Sequence, residues 1–127
     1  MTKRHVLFVD DDMISRLVNC SILREYGFSI IEASSFSEAC RMIERTSELA
    51  ALVTDIDLGS DDDGFEVARR ARASHPDLPV IYMSGTDFAR FDHEGVQDSR
   101  FVPKPFDPNQ IARALDDVSR PEPARAI

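Results

Sequence analysis

The chain has 127 residues, 43% of them hydrophobic, and its 15 Lys and Arg against 23 Asp and Glu leave a net charge of -8. That supports one packed domain rather than two, and the negative field disfavours nucleic-acid and membrane-surface partners. No apolar run approaches the roughly 20 residues of a membrane span. The run at 6–9 meets Asp10, Asp11 and Asp12 too soon for a signal-peptide core, so a cytoplasmic location is expected.

Short apolar runs alternate with helical patterns along the whole chain, the pattern of βαβ units and a parallel sheet. His5–Val9 reads as a continuous apolar strand. Residues 13–26 then place Ile14, Leu17, Val18, Ile22 and Tyr26 at helical spacing, with Gly27 as the stop. A second strand is predicted over 28–33. Ser35 and Glu38 form a capping box ahead of Phe36, Ala39, Cys40 and Ile43, which fall on one face of a second helix.

A third strand is predicted over 50–54, followed by a polar loop over 55–63 and a helix over 65–74. Residues 78–83 read as the fourth strand and 101–103 as a short fifth. Segment 86–99 carries Gly95 and only Phe88, Ala89, Phe91 and Val96 as apolar anchors, so its helix should be short or irregular. Asp107 as N-cap, Pro108 at the first position, and Ile111, Ala114, Leu115 and Val118 on one face define the last helix. The domain is expected over 1–119, with a frayed tail over 120–127.

Cys20 and Cys40 have neither a CxxC pattern nor a nearby His, so both are expected to be buried core thiols. His5, His75 and His93 are scattered and read as surface or turn residues. Parallel strands joined by right-handed crossovers end on one sheet edge, where ligands bind. The strand ends bring together Asp10, Asp11, Asp55, Ser84 and Lys104. Like charges this close call for a cation, and Mg²⁺ fits because it takes carboxylates, keeps waters and completes its shell with phosphate oxygens. A carboxylate beside a cation and a Lys can itself accept a phosphoryl group, with Ser84 donating to one phosphoryl oxygen and Lys104 neutralising another.

The segments VLFVDDD at 6–12, LVTDIDL at 52–58, DGFEVARR at 63–70, LPVIYMSG at 78–85 and FVPKPF at 101–106, in this order, resemble the receiver domain of two-component response regulators. The likeness is to the stand-alone, chemotaxis-regulator type. It implies a doubly wound, flavodoxin-like α/β fold of five parallel strands in order 2-1-3-4-5 with five helices. It also implies phosphorylation of Asp55 by the phosphohistidine of a histidine kinase or histidine phosphotransfer protein. The resemblance gives Mg²⁺, with Mn²⁺ as substitute, to Asp11, Asp55 and the backbone carbonyl of Asp57, with Asp10 acting through water. Ser84 and Phe101 are the implied switch pair, and a cis peptide is implied at Pro105. No catalysis beyond the protein's own phosphorylation and dephosphorylation is implied. Output would pass by docking to a partner or by onward phosphotransfer, from a surface around Phe91, Phe101 and Phe106. A further docking face including the first helix, and a homodimer, are compatible with the pattern.

Gly59 stands where the family usually has Pro, and the loop to Gly64 is one residue longer than the common form. Asp57 adds a carboxylate near the mouth, and Met13, Asp57 and Thr86 are the expected positions for tuning acyl-phosphate lifetime. A calcium loop is not expected, because alignment on Gly64 puts Gly59 at position 1 and Arg70 at position 12, where a Glu is needed. Two alternatives are a degenerate receiver that binds proteins without phosphorylation, and a haloacid-dehalogenase-type phosphatase using Asp55 and Asp57. The latter class wants its motif on an early strand with Thr or Val after the second Asp, where this chain has Leu58.

Overall fold

The computed structural model describes residues 4–59 and 61–119, so the tail expected at 120–127 lies outside the described residues. The elements are β1 (His5–Val9), α1 (Met13–Glu25), β2 (Ile30–Ala33), α2 (Phe36–Arg45), β3 (Leu49–Asp55), α3 (Gly64–Ser74), β4 (Val80–Ser84), α4 (Phe88–Glu94), β5 (Arg100–Pro103) and α5 (Pro108–Ser119). The strands form one parallel sheet in order β2-β1-β3-β4-β5. This is the expected doubly wound flavodoxin-like receiver fold, and no helix among the described residues is long and apolar enough to cross a membrane.

Successive side chains of a strand point to opposite faces, so each strand serves two cores. Leu7, Val9, Leu52, Val80 and Tyr82 pack under α2 and α3, while Val6, Phe8, Val53, Ile81 and Met83 pack under α1 and α5. Burying both faces explains why β1 and β4 read as unbroken apolar runs. The helix caps follow from sequence too. Ser35 Oγ accepts the Glu38 N–H at 3.2 Å, and the returning Glu38 carboxylate takes the Ser34 N–H at 3.1 Å. Asp107 Oδ1 accepts the Asn109 N–H, and Gln110 reaches back to the Asp107 N–H, both at 2.9 Å.

Some expectations change. Strand β2 starts at Ile30, because the Phe28 N–H is spent on the Leu23 carbonyl in the turn that closes α1. Strand β4 starts at Val80, because the Leu78 N–H closes a turn onto His75 and Pro79 has no N–H to give a ladder. The largest difference is in α1. Its buried residues are Asn19, Cys20 and Leu23, while the periodic stripe faces outward except at half-buried Ile22. Ile14 is 71% exposed, Leu17 52%, Val18 50% and Tyr26 53%. The stripe is therefore a surface, not the face that docks α1 on the sheet.

Cys20 is fully buried, and burial is the main cause that pushes its thiol up to about 12, so it packs as an inert core residue. Cys40 is only half-buried, which corrects the expectation of a core thiol. It lines a shallow cleft with Ile43, Glu44 and Arg70 between α2 and α3. Phe106 is displaced from the expected cluster as well. Phe91 and Phe101 pack with the α2 and α3 core, whereas Phe106 packs with the α1 and α5 core on the other sheet face.

Candidate functional site

The ends of β1, β3, β4 and β5 open onto a cleft of about 360 Å³. It is lined by Asp10, Asp11, Asp55, Ser84 and Lys104, the five groups expected there, with Asp57, Gly59 and Thr86 among the rim residues. Carboxylate oxygens of Asp10, Asp11 and Asp55 all lie within 4.8 Å of one another. Lys104 Nζ is 2.6 Å from Asp55 Oδ1.

Asp10 is fully buried at the end of β1. Its N–H donates to the Ala33 carbonyl, and its Oδ1 accepts the Asp12 N–H at 2.9 Å. Its Oδ2 is buried with no hydrogen-bond donor facing it among the described residues. A buried carboxylate oxygen without a donor is costly unless a cation meets it. That orphan, inside a ring of three carboxylates, fits a hard divalent cation with oxygen ligands.

Asp55 is 5% exposed. Burial chiefly, together with the adjacent Asp10 carboxylate, pushes its acid up to about 8, against the contact with Lys104, which pulls it down. Burial alone would lower Lys104, but its pairing with Asp55 wins, and the ammonium stays charged. The bare acidic cluster thus resists ionisation, and added positive charge favours the ionised form of Asp55.

Asp55 is held from behind by its neighbours. The Ile56 N–H donates to the Met83 carbonyl, and the Gly64 N–H donates to the Ile56 carbonyl at 2.8 Å. A Cβ at Gly64 would lie 2.1 Å from the Asp55 carbonyl oxygen, so the start of α3 packs on the Asp55 backbone as only glycine allows. Gly59 takes φ 72°, and a Cβ there would sit 3.2 Å from Asp11 Oδ2. The Asp57 side chain is turned into this loop, where its Oδ1 accepts the Gly59 N–H at 2.9 Å.

At the end of β4, Ser84 Oγ accepts the N–H groups of Thr86 at 3.2 Å and Asp87 at 3.1 Å. The Lys104 N–H is fixed to the Ser84 carbonyl at 2.8 Å, and the Lys104–Pro105 peptide is cis. Phe101 packs edge-on to Phe88 at 5.4 Å and tilted to Phe91 at 5.3 Å. Met13, the first residue of α1, is 61% exposed and is not among the residues that line the cleft.

Gly64 and Tyr82 were not anticipated. The Tyr82 hydroxyl accepts the Val96 N–H at 3.1 Å, tying the segment after α4 to the core. A Tyr in an otherwise aliphatic strand was the available signal, since a buried hydroxyl needs a partner.

Comparison with known proteins agrees with this geometry. The response regulator receiver domain family matches residues 6–116. The sensor kinase CckA of Brucella abortus is 30% identical over 116 residues, covering 89% of this chain and 12% of the kinase, so the chain spans a small part of that relative. The crystal structure of a response regulator receiver protein from Sinorhizobium medicae superposes with a TM-score of 0.87 at 32% identity, covering 92% of this chain and 94% of that one. The receiver domain of the sensor histidine kinase PA1611 from Pseudomonas aeruginosa, solved with a magnesium ion in its active-site cleft, shares the fold. Its TM-score is 0.79 at 22% identity, covering 93% of this chain and 98% of that one.

Proposed function

Because this chain belongs to the response regulator receiver family, we propose that it accepts a phosphoryl group on Asp55 from the phosphohistidine of a histidine kinase or phosphotransfer protein. The observation that carries the reading is the contact of Asp55 Oδ1 with Lys104 Nζ at 2.6 Å, inside a cleft that also holds Asp10, Asp11 and Ser84. An Asp55 carboxylate oxygen attacks phosphorus. The new P–O bond forms as the P–N bond breaks, and its electron pair leaves with the imidazole. Lys104 neutralises one phosphoryl oxygen, and the Ser84 hydroxyl, whose O–H now reaches Asp87 Oδ2 at 3.5 Å, turns to donate to another.

Asp10, Asp11 and Asp55, with the backbone carbonyl of Asp57, would hold Mg²⁺. The ion, when bound, offsets the charge of the carboxylates and of the incoming phosphoryl oxygens. Hydrolysis by water returns Asp55 and inorganic phosphate, with Asp57 and Thr86 at the rim as the residues that set its rate. No other reaction is assigned.

The donor docks on the outward stripe of α1. Met13, Ile14, Leu17 and Val18 are each at least half-exposed beside the cleft mouth. An apolar groove lined by Val18, Pro105, Phe106 and Pro108 continues that surface to Lys104. Contiguous apolar surface at the rim of a site suits a protein partner.

The test is intact mass after incubation with Mg²⁺ and acetyl phosphate, for wild type and Asp55→Ala. Gain of one phosphoryl group by wild type alone is expected. No gain, under conditions that label a working receiver, would overturn the proposal.

A further inference from the structure

Arg16 lies in α1, away from the cleft lining, yet it is tied to the acidic turn. Its Nη1 donates to the Asp10 carbonyl at 2.8 Å, and its Nε donates to Glu32 Oε1 on β2 at 3.2 Å. Its side chain is only 14% exposed. Glu32 is gripped a second time by Arg24, whose Nη1 lies 3.1 Å from Oε2 and whose Nη2 donates to the Ile30 carbonyl. Two arginines of α1 therefore staple the helix to edge strand β2, but only the first reaches Asp10.

With that bond, Asp10 has its N–H on Ala33, its carbonyl on Arg16 and its Oδ1 on the Asp12 N–H. What is left is Oδ2, buried and without a hydrogen-bond partner among the described residues, on a carboxylate that clusters with those of Asp11 and Asp55. The carbonyl of Asp10 belongs to the peptide plane that joins it to Asp11. Fixing that oxygen fixes the plane, and with it the directions in which two of the three carboxylates leave the backbone.

We propose that Arg16 is a positioning residue for the cation site, holding the Asp10–Asp11 peptide so that both carboxylates converge with Asp55. This rests on the reading of the cleft as a Mg²⁺ site. Groups that orient a metal's ligands typically change its affinity by about 10–100-fold when removed. The planar guanidinium bonds the carbonyl and Glu32 together, which one ammonium on a flexible stem does poorly.

The experiment is calorimetric titration of the full chain with MgCl₂, without phosphodonor, for wild type, Arg16→Met, Arg16→Lys and Arg24→Met, each checked for cooperative thermal melting. Arg16→Met is expected to bind Mg²⁺ at least about tenfold more weakly, with Arg16→Lys in between. Arg24→Met breaks the same staple from its exposed end without touching Asp10, and should stay within about twofold of wild type. Wild-type affinity in Arg16→Met, or equal losses in Arg16→Met and Arg24→Met, would overturn the proposal. Absence of Mg²⁺ binding in wild type would instead bring down the reading of the cleft on which it rests.

Discussion

Helices α1 and α4 both start at the rim of the acidic cleft, and they are attached to the domain by different kinds of interaction. Helix α1 has its own cap, with Asp12 accepting the Ser15 N–H, and it buries Asn19, Cys20 and Leu23. Its arginines pair with Glu32. Helix α4 is one of seven residues, buries none of them, and its N-cap Asp87 makes no side-chain capping bond. The N–H groups at its start are taken by Ser84 Oγ, a group of the cleft. Further ties are Arg90 to Asp63 and over the Phe65 ring, the Val96 N–H on Tyr82, and the rings of Phe88 and Phe91 against Phe101, with Phe91 also on Tyr82. One wall is held by a buried helix face, by its own cap and by arginines, of which Arg16 also bonds the Asp10 backbone, and the start of the other is held by the Ser84 side chain of the cleft. A short helix with few buried contacts belongs to the low-stability end of a fold, where movement concentrates.

The comparison can be broken most severely at the floor both walls share. Gly64→Ala drives a Cβ into the Asp55 carbonyl, and is expected to cost about 3 kcal/mol in urea unfolding and to impair phosphorylation. An undiminished midpoint would show that the start of α3 can retreat.

The next effect is electrostatic. The Asp55 carboxyl titrates near 8 in the folded, metal-free protein and near 3.8 when unfolded, so between those values the folded state keeps a proton that the unfolded state has lost. Stability without divalent cations should therefore fall as pH rises from about 4 to about 8. Asp55→Asn should flatten that slope in melting curves. The same slope in both proteins would contradict the assignment to Asp55.

Smaller effects separate the walls. Ser84→Ala removes the acceptor for the two amides at the start of α4 and should destabilise that helix by about 1 kcal/mol. Hydrogen exchange should speed in α4 and remain unchanged in α1. Arg90→Gln removes two ion pairs of an Arg that is about half-exposed, to Asp63 and, within α4, to Glu94, and should change global stability by less than about 1 kcal/mol while loosening the same segment.

Strand ends were legible in the sequence because a sheet buried on both faces leaves continuous apolar runs, and each run stops where a charged or hydroxyl residue begins. Asp10, Asp55, Ser84 and Lys104 could be placed at one edge on that basis alone. The outward stripe of α1 could not. Periodicity of Ile14, Leu17 and Val18 reports that an apolar face exists, and which face meets the sheet is decided by packing of Cys20 and Leu23. Arg16 had no signature among 15 basic residues, because its partner is a backbone carbonyl set in place only by the fold. Gly64 is similar, since the contact that requires glycine comes from Asp55, which is distant in the chain until β3 and α3 pack.

The central claim, that Asp55 chemistry is felt at one wall and not at the other, is tested most directly by amide NMR of the Mg²⁺-loaded protein before and after adding acetyl phosphate. The account predicts that Thr86, Asp87, Val96 and Phe101 shift on phosphorylation and return as the acyl phosphate hydrolyses, while Cys20 and Leu23 keep their positions. Identical shifts in Asp55→Ala, or shifts in α1 as large as those in α4, would contradict it.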